Sequence, residues 1–123
     1  MMRVLLAEHG PTEHATLLLQ HGYQVIVATS ADHARAQTDA YRFDVVLVNA
    51  ESIAGNGFGL CAALRERLGD DVVIMLLTAD DTPLRRVTGM QLGADDVVGL
   101  PCHADELMTR ITTHKRRRAS DTA

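Results

Sequence analysis

Apolar residues fall in five short runs, separated by stretches in which apolar and polar positions alternate with helical spacing. The runs are Val4 to Ala7, Val25 to Ala28, Val45 to Val48, Val72 to Leu77 and a weaker fifth, Val97 to Leu100. Each is four to six residues long and rich in Val, Ile and Leu, the composition of strands buried on both faces. The segments between them predict helices. Thr12 to His21 sets Ala15, Leu18 and Leu19 on one stripe, with Gly22 as the stop. Ser30 is an N-cap for Ala31 to Ala40. Phe58, Cys61, Leu64, Arg65 and Leu68 follow i, i+3, i+4 spacing up to Gly69. Thr82-Pro83 opens a fourth helix, since proline is tolerated in a first turn, and Gly93 closes it. The last helix runs from Ala104 to Arg118 with Leu107, Met108 and Ile111 inward. Its acidic start (Asp105, Glu106) and basic end (Lys115 to Arg118) both complement the helix dipole.

Five such strand–helix units predict an α/β domain over residues 1–118: an open parallel sheet with helices on both faces, and residues 119–123 as a disordered tail or the start of a linker. Ligand-handling residues in such sheets lie just past the carboxyl ends of the strands. Here those are Glu8-His9-Gly10, Asn49-Ala50-Glu51, Thr78-Ala79 and Leu100-Pro101.

Composition narrows the picture. At 123 residues and 46% apolar the chain is one globular domain, and with 3% aromatics and no Trp its core is aliphatic. No apolar run approaches the roughly 20 residues of a membrane span, and the N-terminus turns acidic too soon for a signal peptide, so a cytoplasmic protein is expected. Cys61 and Cys102 lack metal-ligand spacing and predict free thiols. The net charge is −4; setting aside the four positive charges of Lys115 to Arg118 leaves −8, so an acidic body carries a basic end. An acidic body argues against nucleic-acid binding by the domain itself. The loop Glu8-His9-Gly10-Pro11-Thr12 has no phosphate-cradling Gly/Ser/Thr run, which argues against a flavin carrier.

Several segments, in order, carry a resemblance. They are Arg3-Val4-Leu5-Leu6-Ala7-Glu8, Phe43-Asp44-Val45-Val46-Leu47-Val48-Asn49, Gly57-Phe58-Gly59-Leu60, Met75-Leu76-Leu77-Thr78-Ala79, Gly93-Ala94-Asp95-Asp96 and Leu100-Pro101. Over nearly its whole length the chain resembles the receiver domain of bacterial response regulators. It is most similar to the branch that carries a winged-helix DNA-binding domain. The resemblance implies a flavodoxin-like, doubly wound (βα)5 fold with strand order 2-1-3-4-5, and a role in signal transduction and transcriptional regulation.

In that family an aspartate at the end of the third strand attacks a phosphoryl group, Mg²⁺ and a lysine neutralise the charge, and a Thr or Ser hydroxyl follows the phosphate. This sequence departs from the pattern at three places. Asn49 stands at the nucleophile position, and a carboxamide forms no acyl phosphate. His9 stands for the second acidic metal ligand, and imidazole is a poor Mg²⁺ ligand. Leu100 stands for the lysine. Glu8 and Thr78 remain, and Val97 replaces the mobile aromatic. The expectation is an atypical receiver, or pseudo-receiver. It would have no catalytic residue, metal or cofactor, would not be an enzyme, and would act independently of phosphorylation.

Around this degenerate pocket of Glu8, His9, Asn49, Glu51, Thr78 and Leu100, alternatives stay open at the level of sequence. Asn49 caps a loop through its amide. Glu8 and His9 pair with each other or with water, or join Glu51 as a transition-metal or small-anion site. Leu100, Val97, Gly99 and Cys102 fill core, or line a site for an apolar metabolite, which would make the chain a small-ligand sensor. Arg85, Arg86, Asp95, Asp96, Glu106 and Arg110 form a charged face on the fourth helix, fifth strand and fifth helix. That face is either solvated or a two-fold homodimer interface. The basic end of the last helix would lead to a DNA-binding effector domain.

Overall fold

The computed structural model describes residues 2–10, 13–53 and 57–121, with the side chains of 120 and 121 left aside. The elements alternate strictly: β1 (Arg3–Ala7), α1 (Glu13–Gln20), β2 (Gln24–Ala28), α2 (Ala31–Ala40), β3 (Val45–Asn49), α3 (Gly57–Leu68), β4 (Val73–Thr78), α4 (Pro83–Gln91), β5 (Asp96–Gly99) and α5 (Ala104–Asp121). The strands form one parallel sheet in the order β2-β1-β3-β4-β5, as the pattern and the resemblance imply. Register pairs Val4 with Val45, Val45 with Val73 and Met75 with Asp96, so the carboxyl ends of β1, β3 and β4 come level at one edge of the sheet.

The apolar runs become strands because both faces are covered. On one face Leu5, Ala7, Val46, Val48, Ile74, Leu76 and Val97 pack against Ala34 of α2 and Leu60, Cys61 and Leu64 of α3. On the other, Val4, Leu6, Val45, Leu47, Val73, Met75, Leu77 and Val98 pack against Ala15 and Leu18 of α1 and Leu107, Met108 and Ile111 of α5. Burial forces the Cys61 thiol up to about 11, so it acts as a small hydrophobe. α4 lies on the α2–α3 side, where Gly89 lets it come close: a Cβ there would sit 2.8 Å from both Leu76 Cδ1 and Val97 Cγ2.

Local signals hold where the chemistry is local. Ser30 Oγ accepts from the His33 amide and Thr82 Oγ1 from the Arg85 amide, capping α2 and α4. Gly22, Gly69 and Gly93 take the positive φ that ends the preceding helices. Three details differ from expectation. Leu19 is more than half exposed, because the stripe that meets the sheet is Ala15 and Leu18, with Leu17 at its margin. β5 ends at Gly99, leaving Leu100 in the turn beyond it. α5 continues through Asp121, three residues past the expected Arg118, its last turns tied to the body by Arg118. Thr12, expected to open α1, and residues 122–123 lie outside the described residues.

Candidate functional site

The level carboxyl ends of β1, β3 and β4 gather Glu8, Asn49 and Thr78, and the turns beyond add His9, Glu51 and Leu100. The structure pairs Glu8 with Asn49 and Glu51 with Thr78 in two separate arrangements, and leaves the side chains of His9 and Leu100 out of both.

The first is centred on Glu8, which is buried. Its Oε2 accepts from His14 Nδ1 at 2.8 Å and from Asn49 Nδ2 at 2.9 Å. Burial pushes the Glu8 carboxyl up, but the His14 and Asn49 hydrogen bonds and the His14 charge outweigh it, leaving the group below its ordinary value. The Glu8 hydrogen bond holds His14 above the usual imidazole range, against a smaller opposing effect of burial and with support from the charges of Glu8 and Glu13. The partner of Glu8 is therefore His14, in the first turn of α1, and not His9. His9 is exposed, and its backbone N–H donates to Ser52 Oγ at 3.0 Å. A strand-end residue and its neighbour point apart, whereas the first turn of α1 passes over the strand end. Asn49 caps the loop as expected: its Oδ1 accepts from the Ser52 amide at 3.3 Å. Around Glu8, His9, Glu13, His14 and Asn49 the surface is open and concave, about 270 Å³ in volume.

The second arrangement is centred on Glu51. Its Oε2 accepts from Thr78 Oγ1 at 2.8 Å and from Arg85 Nη2 at 2.9 Å, while its Oε1 accepts from the Ala79 amide at 2.6 Å. Glu51 thus turns away from Glu8 and His9, and the three-residue site imagined from sequence does not assemble. Among the described residues no group of three or more His, Cys, Asp or Glu side chains is placed to hold a metal ion. Leu100 packs on the α1–α5 side of the sheet and Val97 on the α2–α3 side, because positions three apart in an extended chain face opposite ways. The apolar patch of Leu100 with Val97 is therefore divided by the sheet.

A family model, the response regulator receiver domain, matches residues 12–112. The chain belongs to the response regulator receiver domain family. Among curated relatives it is 36% identical to the sensory transduction protein RegX3 of Mycobacterium tuberculosis over 107 residues, 87% of this chain and 46% of RegX3. It is 32% identical to the response regulator MprA of Mycobacterium leprae over 125 residues, 99% of this chain and 54% of MprA. The chain spans about half the length of these relatives. The solved receiver domain of the TMAO respiratory response regulator TorR is 31% identical, with a TM-score of 0.83 over 95% of this chain and 98% of TorR's. The BeF3-activated receiver domain of Klebsiella pneumoniae RstA is 26% identical, also with a TM-score of 0.83, over 93% of this chain and 98% of RstA's.

A receiver of this family implies Mg²⁺, and the residues present do not fit it. A hard cation wants several carboxylate and carbonyl oxygens. This pocket is lined by two carboxylates, Glu8 and Glu13, of which Glu8 already shares its Oε2 between an imidazole and an amide N–H, leaving its buried Oε1 without a hydrogen-bond partner, and among the described residues no third His, Cys, Asp or Glu is placed to complete a set.

The six charged residues expected on the α4–β5–α5 face all have partners within the chain. Arg85 holds Glu51, and Arg86 holds Asp81 at 2.6 Å and the Val97 carbonyl at 2.7 Å. Asp95 receives Arg65 at 2.8 Å and Arg118, while Asp96 receives Arg110 at 2.9 Å and His114 at 3.0 Å. Glu106 pairs with Arg110 one turn along α5 at 3.1 Å. What α4 presents to solvent instead is an apolar row, Leu84 (76% exposed), Val87 (53%) and Met90 (51%). Sequence reasoning missed this row and His14. The i, i+3, i+6 spacing of the row was visible, but it became a signal only once Gly89 was seen to be the residue facing the sheet. Nothing in linear spacing separates His14 from the other five histidines.

Proposed function

We propose that this receiver domain works without phosphorylation, as an interaction module and not as an enzyme. The observation that carries the reading is the state of Asn49. Its amide nitrogen is committed to Glu8 and its amide oxygen to the Ser52 backbone, so the tip of β3 is a hydrogen-bonded strut and not a nucleophile. Leu100 supplies no ammonium, and His14 and Asn49 share one of the two Glu8 carboxylate oxygens. Together these commit Glu8 Oε2 and the Asn49 amide to hydrogen bonds that are already in place. Incubation with acetyl phosphate and Mg²⁺ should leave the intact mass of the chain unchanged; a stable phosphoryl adduct on any aspartate refutes the proposal.

The exposed row Leu84, Val87 and Met90 supports a homodimer through the α4–β5–α5 face, with the apolar row as its contact and the charged residues beside it kept in intramolecular pairs. Molecular mass in solution, with and without Leu84→Glu and Met90→Glu, tests this: a wild-type chain that stays monomeric at high concentration removes the dimer. The proposed setting is transcriptional control, a role printed in the name of the relative TcrA, the transcriptional regulatory protein of Mycobacterium tuberculosis. In that setting the basic end of α5 leads toward a DNA-binding effector.

A further inference from the structure

A cleft of about 470 Å³ lies at the opposite end of the sheet from Glu8 and Asn49, where the chain passes from α2 into β3 and from α3 into β4. Val45 and Val73 pair in register there, so the two connections come level. The volume is within the range of small-ligand sites. The floor is apolar: Phe43 and Val72 are buried, and Leu68 packs half-buried against the core. The sides are closed by ion pairs, Arg67 with Asp39 at 3.4 Å and Lys115 of α5 with Asp44 at 3.5 Å, so these charges largely cancel. Asp44 is fixed further by the Arg3 amide at 2.8 Å, and the Arg3 guanidinium stacks 5.2 Å from the centre of the Tyr41 ring at the rim. Two lining side chains of opposite sign are left over. The Arg42 guanidinium and the Asp71 carboxylate are exposed, and among the described residues neither has an ionic or hydrogen-bonding partner.

We propose that this cleft binds a small zwitterion with an apolar body, a free apolar α-amino acid, whose carboxylate meets Arg42, whose ammonium meets Asp71 and whose side chain lies on Phe43, Leu68 and Val72. Each simpler ligand class leaves a charge unmatched. An apolar carboxylate satisfies Arg42, but it leaves Asp71 alone and sits by the C-terminal ends of α2 and α3, which carry partial negative charge. An apolar amine satisfies Asp71, but it meets Arg42, Arg67 and Lys115 with no anion of its own. A zwitterion answers both signs, and its carboxylate suits the two-pronged donor geometry of a guanidinium. The apolar metabolite site imagined from sequence at Leu100 and Val97 is divided by the sheet, whereas this cleft keeps an apolar floor and a charged rim on one side. The inference goes beyond the phosphorylation-independent reading and stands apart from it, since no residue of the cleft belongs to the pocket around Glu8 and Asn49.

The test is amide NMR of the full chain, titrated with L-phenylalanine and L-leucine and with two probes that each lack one charge, 3-phenylpropionate and phenethylamine, at neutral pH and equal ionic strength. Both amino acids should shift the amides of residues 41–44 and 68–72 saturably, with half-saturation in the millimolar range expected of so small a ligand. Each one-charge probe should bind about tenfold or more weakly than L-phenylalanine, the loss that goes with one charge-assisted bond. Arg42→Gln should lower the affinity for L-phenylalanine to that for phenethylamine, and Asp71→Asn to that for 3-phenylpropionate. Both side chains are exposed and without partners, so both variants should melt as the wild type does. No saturable shift with either amino acid, equal affinities for L-phenylalanine and the two probes, or unchanged titrations in both variants overturns the proposal. Shifts centred on Leu84, Val87 and Met90 instead of the cleft overturn it as well. Uptake of a phosphoryl group by the wild type would sink the earlier reading alone, whereas a missing amino-acid response would sink only this one.

Discussion

Asn49→Asp puts back the carboxylate that the family places at the end of β3, and the structure says it should harm the fold and not restore a switch. Asn49 Nδ2 donates to Glu8 Oε2 at 2.9 Å; an Asp oxygen in that place faces a carboxylate oxygen at the same distance. Two unit charges that close repel by roughly 6 kcal/mol at an effective dielectric constant of about 20, taking the 2.9 Å separation. His14, at 2.8 Å on the same Glu8 oxygen, offsets part of this. Proton uptake limits the rest: holding an aspartate of ordinary pKa near 3.9 protonated costs about 1.4 kcal/mol for each pH unit above that value. The penalty is therefore capped at roughly 1.5 kcal/mol at pH 5, while at pH 8 about 2–4 kcal/mol remains after the His14 offset. A carboxyl whose folded-state pKa is raised destabilises above its unfolded value and is harmless below it, so the deficit grows with pH. Thermal unfolding followed by circular dichroism, in EDTA, should show a melting temperature lowered by about 8–15 °C at pH 8 and by less than about 6 °C at pH 5. An equal loss at both pH values, or none at pH 8, refutes the reasoning. The variant should still take no phosphoryl group, because Leu100 brings no cation and Arg85 is committed to Glu51.

Other consequences can be measured on the same chain. The stability that His14 contributes, its pKa raised by Glu8, is full below about pH 6.5 and is lost as pH rises through its folded value; that of Glu8, its pKa lowered, is present above about pH 4.5 and lost as pH falls through its folded value. His14→Ala should therefore cost about 1.5–3 kcal/mol at pH 5.5 and less at pH 8.5, read as the urea midpoint, and equal costs would contradict the pairing. Arg65 donates to the carbonyls of Gly93, Gly69 and Val72 and to Asp95, all at 2.8 Å. Arg65→Ala should cost about 3–5 kcal/mol, and Arg65→Lys should recover little of it because an ammonium lacks the fork that reaches all four acceptors; a full Lys rescue in urea melts would show that charge alone matters. A Cβ on Gly57 would lie 2.4 Å from Ala50 Cα, against backbone that cannot swing aside. Gly57→Ala should destabilise by about 3 kcal/mol, and a wild-type melting temperature would mean that the turn after β3 is more pliant than this contact implies.

The sequence by itself determined the architecture of this protein, because the forces that set it act over a few residues and leave a periodic trace. Runs such as Val45 to Val48 and Val73 to Leu77 have no polar face and must be covered on both sides. Ser30 and Thr82 cap the helices that follow them by accepting from amides three residues on, and Gly22, Gly69 and Gly93 release chain into turns. The reading of Asn49, His9 and Leu100 as standing where the family has its acceptor, second acid and lysine rests on the resemblance and on the order of motifs. Only the tertiary structure decided who pairs with whom. Glu8 reaches His14, Glu51 reaches Thr78 and Arg85, and Asp95 sinks between Arg65 and Arg118, with partners up to 34 residues apart in these cases. Such choices depend on which helix turn passes over which strand end and on how a side chain swings once its neighbours are placed. A charge with several candidate partners at similar distance leaves no periodic mark in the chain, so its choice is made by packing alone.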